Sequence, residues 1–255
     1  MTTLFQDVRY GLRLLWKSPG FTIVAVLSLA LGVGANTAIF SIVNSVLLRA
    51  LPFAHPDRLV KIVANNRGVG AQDIGFSVPE LDDLRLRAGV FEQVSAINAG
   101  DANLTGAERP QRHQIAVVSP NYFSMLGATP QIGRLFGPQD SALGFAEAAV
   151  ISDSLWASGF GRDPGILGRK LQLDNDPYTI VGVLPPGFRH PGTAVTDVEV
   201  WGAAGFRADP FPKPERSLRG VPAAIGLSKQ GISREQAQAR LNAYSAQLRT
   251  EYATD

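Results

Sequence analysis

The side chains that could do chemistry in this chain are few and scattered. Its three histidines, His55, His113 and His190, lie far apart and lack metal-ligand spacing. Each sits beside or near proline or polar residues, where a histidine is more often exposed or hydrogen-bonded within the fold than a ligand. Glu80, Asp82 and Asp83 cluster, but at the opening of a predicted helix, where carboxylates complement the positive end of the backbone dipole. Asp174 and Asp176 flank Asn175 ahead of Pro177, which is turn composition rather than a catalytic pair. Gly75-Phe-Ser77-Val-Pro79 misses the G-x-S-x-G nucleophile elbow at its last position. Gly32-Val-Gly34-Ala-Asn-Thr37 has the glycines of a phosphate loop but no lysine and no preceding strand. The chain contains no cysteine, which excludes disulfides, thiolate metal sites and cysteine nucleophiles. No catalytic constellation, metal site or cofactor site is expected, and the chain reads as non-enzymatic.

The strongest signal lies in the elements instead. From Ser18 to Leu48 there is no charged residue. Phe21 to Leu48 would form a helix about 42 Å long at ~1.5 Å per residue, against a hydrocarbon core about 30 Å thick. A cleaved signal sequence has a shorter apolar stretch ending in small residues, and Asn44-Ser-Val-Leu-Leu-Arg49 offers no such site. The stretch is therefore expected to be a single transmembrane anchor, contacting the lipid bilayer along its length.

Arg9, Arg13 and Lys17 precede it and favour a cytoplasmic amino terminus, with the rest of the chain periplasmic or otherwise extracytoplasmic beyond an inner membrane. Leu4, Val8, Leu12 and Leu15 repeat at helical spacing, so residues 1–20 read as an amphipathic cytoplasmic flank, 21–48 as the anchor and 49–255 as the folded domain. Within the anchor, Ala30, Gly34 and Ala38 fall four apart and form one small-residue face suited to close packing against another membrane helix. Of 24 basic and 22 acidic residues, Arg9, Arg13, Lys17 and Asp7 are the only ones before Arg49, which leaves 21 of each sign in the domain. A domain with no net charge is a poor collector of nucleic acid.

Beyond the anchor the pattern is one of short strands and helices without regular alternation, an α+β domain. Strands are expected at Leu59–Ala64, Val94–Ile97, Ala102–Leu104, His113–Val118, Ala148–Ile151 and Val221–Leu227. Turns are expected at Ala99-Gly-Asp101 and Gly106, and a hairpin from Leu171 and Leu173 through Asp174–Pro177 to Tyr178–Leu184. Ser77-Val-Pro-Glu80 and Ser233-Arg-Glu-Gln236 are capping boxes, the second opening a helix with Ala237, Leu241, Tyr244 and Leu248 on one face. Ser119 is expected to cap a helix to Leu126, Asp153–Phe160 to be helical, and Gly202–Arg219 to be a loop.

Several blocks together resemble the permease subunits of macrolide-exporter-type (MacB-type) ABC transporters, in particular their orphan permease branch. They are Asp7-Val-Arg-Tyr-Gly-Leu-Arg13, Lys17-Ser-Pro-Gly-Phe21, Leu29 to Ser41, Val46-Leu-Leu-Arg49 and Pro56-Asp-Arg-Leu-Val60. Asn121-Tyr-Phe-Ser124, Gly133-Arg-Leu-Phe136, Leu155-Trp156, Phe160-Gly161, Thr179 to Val183, Pro185-Pro-Gly-Phe188 and the Gly231 to Asn242 stretch follow in order.

The resemblance implies a periplasmic core domain inserted after the first membrane helix, and a non-catalytic permease role in transport or mechanotransmission. It also implies a cytoplasmic ATPase subunit as partner, with a second permease copy or a carboxy-terminal half. The family continues into further membrane helices, so a chain ending at Asp255 is expected to be a truncated permease, its domain incomplete at the carboxy end. The alternative is a membrane-anchored extracytoplasmic binding or interaction domain working without an ATPase. A tethered hydrolase is disfavoured because no nucleophile–base pair is present.

Overall fold

The computed structural model describes residues 15–43, 53–65, 70–105, 111–141, 144–174, 176–191, 197–205 and 215–252, with Gln6, Arg9, Tyr10 and Arg13 ahead of them. The chain divides into two units, Met1–Leu51 and Pro52–Asp255.

In the first unit, helix α1 runs Pro19–Val43, 25 residues or about 37 Å at 1.5 Å per residue. It starts two residues before the expected Phe21, and residues 44–48 of the expected span lie outside the described residues. Pro19 suits a helix start because its fixed φ is helical, though it supplies no N–H. The carbonyl of Leu15 would otherwise have received that N–H, and the Thr22 hydroxyl donates to it instead at 2.8 Å. Thr37 donates to the Val33 carbonyl at 2.7 Å in the same fashion. Hydroxyls satisfied within the helix remove the main cost of placing them in hydrocarbon. The apolar side chains of Pro19–Phe40 are exposed all round.

The second unit is built on a nine-stranded sheet ordered β1-β9-β2-β3-β8-β5-β7-β4, with β6 pairing both β2 and β7. The strands are β1 Leu59–Ile62, β2 Phe91–Thr105, β3 Gln111–Val118, β4 Ile132–Gly133, β5 Gly144–Ile151, β6 Lys170–Leu173, β7 Asp176–Val183, β8 Val200–Gly205 and β9 Ala223–Ser228. The pairings β2–β3, β3–β8, β8–β5, β5–β7, β7–β6 and β6–β2 close a ring of six strands. β9 and β1 extend from it along the first half of β2.

Two expectations are corrected here. The turn at Ala99-Gly-Asp101 does not form: β2 runs through it as one strand of 15 residues. Asp101 is held instead by Arg112 and Gln114 from the neighbouring strand, and what changes near Ile97 is the pairing partner, from β9 to β3. The expected loop from Gly202 is a strand through Gly205, because Gly202 and Ala203 pair Val117 and Val118 in parallel. Gly-Ala-Ala-Gly has little strand propensity of its own, and it is the pairing with β3 on one side and β5 on the other that holds it as strand. The turn expected at Gly106 lies outside the described residues.

Helices α2 Val78–Leu86 and α5 Arg234–Glu251 each begin with a complete capping box, at Ser77/Glu80 and Ser233/Gln236. α4 spans Asp153–Phe160 as expected, capped by Ser152. α3 is shorter than expected, Tyr122–Leu126. The Ser119 hydroxyl does not cap it but accepts the Ala96 N–H at 2.9 Å, tying the helix entry to β2.

Three apolar clusters form among the described residues. Strand alternation explains two of them: Ala149 and Ile151 of β5 turn to one face of the strand, with Leu171, Ile180 and Val200, while Ala148 and Val150 turn to the other, with Phe123, Leu126 and Trp201. The third lies beneath α2 and α5, whose Leu81, Leu84 and Tyr244 meet Phe91, Val94 and Ala224 of the sheet.

A Cβ at Gly182 of β7 would lie 2.0 Å from the Arg134 carbonyl oxygen. Gly182→Ala is therefore expected to destabilise the domain by about 1–3 kcal/mol, as overpacking does, whereas Gly100→Ala, with open space at that position, should be tolerated. Chemical denaturation of both variants checks the contrast, and equal stability would remove the packing argument.

Candidate functional site

Ala30, Gly34 and Ala38 occupy one stripe of α1, successive residues being one helical turn apart. All three are exposed, and nothing lies within 4 Å of a Cβ built at Gly34. The stripe is thus open to an approaching helix, whose backbone small residues would admit closely. Trp16, on the flank before the helix, is 87% exposed. Leu4, Val8 and Leu12 of the expected amphipathic stripe lie outside the described residues.

In the domain, the acidic cluster of α2 becomes an ion network with arginines from distant sequence. Glu80 accepts the Ser77 N–H at 2.8 Å, closing its capping box, and also pairs with Arg219. Arg219 donates onward to the Gly75 carbonyl at 2.8 Å. Asp83 meets Arg87 at 3.5 Å and Arg216 more closely, while the Arg216 guanidinium lies 3.9 Å from the centre of the Tyr252 ring. Arg87 reaches Glu251 at 2.6 Å, which holds the Glu251 carboxyl below its ordinary range. Asp82 pairs only locally, with Arg85. The network joins α2, the carboxy-terminal turn of α5 and the 215–219 segment. Burial, with the Asp83 charge secondary, pushes the Tyr244 phenol beneath it up to about 12. Spacing of acids on one helix could not reveal partners that are more than a hundred residues away.

The histidines divide. His55 is exposed. His113 on β3 is buried, and its Nδ1 lies 2.6 Å from Glu199. His190 is buried with its Nδ1 2.5 Å from the Tyr122 hydroxyl. Each buried ring keeps one nitrogen, Nε2, without a hydrogen-bond partner. The expectation of exposed or satisfied histidines thus holds for one nitrogen of each buried ring and not the other. The Glu199 partner was not legible, because it lies 86 residues along the chain from His113.

The motif near-misses have structural work. Ser77 is a fully buried N-cap, Gly32–Thr37 lies inside α1, and Asp174 accepts from Asn103 backbone and side chain at 3.0 Å. Asp176 pairs Leu173 within the hairpin. A cleft opens between Asp73, Gly75, Asn98, Arg219 and Pro222, but the Arg219 charge there is already engaged by Glu80.

A family model described as the MacB-like periplasmic core domain matches residues 22–244. By sequence, no curated protein matches the chain. Among solved structures, the chain is similar to the extracellular domain of the ABC-type transporter YknZ from Gram-positive bacteria. The identity is 16% and the TM-score 0.56, covering 77% of this chain and 96% of that one. It is similar too to the periplasmic region of MacB from Actinobacillus actinomycetemcomitans, at 13% identity and TM-score 0.55, covering 74% and 83%. At such identities the likeness is one of fold.

The ion network yields a test. Asp83 is a largely enclosed carboxylate facing two arginines, so Asp83→Asn should cost about 1–3 kcal/mol by leaving both underpaired. Asp82→Asn removes an exposed i,i+3 pair and should cost less than about 0.5 kcal/mol. Hydrogen exchange across residues 244–252 should quicken only in the first variant. Equal exchange in both would show that α5 is not held by this network.

Proposed function

We propose a function from one premise: the chain belongs to the family of MacB-like periplasmic core domains. It acts as a non-catalytic permease component of a MacB-type ABC transporter, anchored by α1 and presenting its α+β domain on the extracytoplasmic side of the cell membrane. The observation that carries this reading is the extent of the family match, which begins at Thr22 within the membrane helix and continues to Tyr244 in α5. Helix and domain therefore match as one unit. A helix of membrane-spanning length with apolar side chains exposed all round supports the anchor, and the basic Arg9, Arg13 and Lys17 ahead of it support a cytoplasmic amino terminus.

The same reading supplies the partners. One helix cannot enclose a path across a bilayer, and one short flank offers far less than the roughly 1,200 Å² of a stable interface. A cytoplasmic ATPase would therefore be engaged only with other membrane helices present, from a second permease copy or a carboxy-terminal permease half. The Ala30, Gly34 and Ala38 face is the surface on which such a helix would pack. Solubilised with its cognate ATPase and those partner helices, the chain should co-elute and ATP turnover should depend on its presence. Turnover indifferent to the chain would favour an anchored binding module instead.

Two measurements address the anchor directly. Protease applied to the outer face of intact inner membranes should degrade the domain and spare the first twenty residues; a protected domain would reverse the orientation. Gly34→Leu should reduce crosslinking of α1 to a neighbouring membrane helix at least several-fold, because the added side chain separates the backbones. Unchanged crosslinking would leave the stripe facing lipid.

A further inference from the structure

Residues 185–191 follow β7 as a strap across the aromatic cluster beside α3. Pro185-Pro186-Gly187-Phe188 makes a turn, with Gly187 at φ +77° and the Phe188 N–H donating to the Pro185 carbonyl at 3.2 Å. Phe188 then packs against three rings, Phe53 at 6.5 Å, Phe123 at 5.9 Å and Trp201 at 5.7 Å between centroids. Two residues on, His190 enters the interior and is only 5% exposed.

Its single hydrogen bond is with the Tyr122 hydroxyl, which is itself fully buried. The phenol and Nδ1 share one hydrogen, which either group can supply, and in either tautomer Nε2 is left without a partner among the described residues. The His190 ring lies 5.7 Å from the Tyr122 ring between centroids, and Tyr122 belongs to the apolar cluster that also holds Phe123 and Trp201, with Phe188 packed against it. Among the described residues, Tyr122 is the titratable group in contact with it, and burial raises its phenol further from ionisation. Arg189, next in sequence, is exposed. Burial alone lowers the His190 imidazole, to about 4, with no charged group acting on it.

We propose that residues 185–191 are an acid-released strap, held down while His190 is neutral and lifted when its imidazole is protonated, uncovering the aromatic face of Phe53, Phe123 and Trp201. An imidazolium in that pocket would have a phenol and no carboxylate, whereas outside it would be hydrated. The released histidine takes its proton near the ordinary 6.5, the buried one only near 4. Lifting is therefore favoured progressively as pH falls through that window and is not driven above it, by on the order of a hundredfold at its acid end.

The test is hydrogen exchange of the full chain in detergent at pH 7 and pH 4.5, corrected for the intrinsic rate, beside His190→Gln and His190→Phe, neither of which titrates. In the wild type, protection of 185–191 should fall at least tenfold at pH 4.5 while β5 and β8 stay protected, and a dye specific for apolar surface should bind. Both variants should show the same strap protection at the two pH values; if the glutamine variant fails to fold, the phenylalanine variant, which fills the pocket, provides the comparison. Three results overturn the proposal: equal strap protection in the wild type at both pH values, the same acid loss in a folded variant, or loss of β5 protection together with the strap.

Discussion

β2 is the strand on which both halves of the domain hang. Its residues Phe91–Ile97 pair with β9, its residues Ile97–Leu104 with β3, and its last two with β6. The first pairing carries the layer of α2 and α5; the other two belong to the closed ring. A ladder shared in this way leaves no hinge between the halves, because a strand cannot bend sharply at Gly100 without giving up pairs on the β3 side. The core follows the same division, Val94 and Ala96 entering the cluster under the helices while Ala102 enters the one inside the ring.

That continuity is also where the sequence was hardest to read. Ala99-Gly-Asp101 has turn chemistry by every local rule, and only the ladder with β3 and the ties from Arg112 and Gln114 to Asp101 make it strand. β8 failed for a related reason. Its Gly202-Ala203 becomes strand through pairing, in parallel with Val117 and Val118 of β3 and, at Gly202, with Ala149 of β5. Features fixed within a few residues were legible: both capping boxes, α4, the β6–β7 hairpin and the buried face of α5. The site divides likewise. The small stripe of α1 follows from helical spacing alone, whereas the partners of Asp83, His113 and His190 arrive from segments brought near by the sheet.

α1 obeys a different constraint from the domain, though the currency is again backbone hydrogen bonds. In hydrocarbon each group must find its partner within the helix, so a proline is admissible only where its missing donor is replaced. Thr22 performs that replacement for Leu15, and Thr37 hides its own hydroxyl on Val33. The polar residues of this helix are thus compatible with lipid, and the glycines that superficially suggest a phosphate loop leave an open stripe instead. A single sequence feature, glycine and alanine at one-turn spacing, is meaningless as chemistry and meaningful as shape.

Charge is used differently in the two parts of the domain. Under α2 and α5, carboxylates and guanidinium groups are matched one against another at a partly open surface, where salt weakens each pair and the network tolerates small shifts. The two buried histidines are enclosed instead, and each ring has one hydrogen-bond partner among the described residues. His113 has the Glu199 carboxylate at 2.6 Å from its Nδ1. His190 has only a phenol and a free Nε2. Two histidines of similar burial on one domain therefore meet different partners, a carboxylate in one case and a phenol in the other. The difference lies in the element that faces each: Glu199, just before β8, in one case, and the aromatic side chains of α3 and the strap in the other.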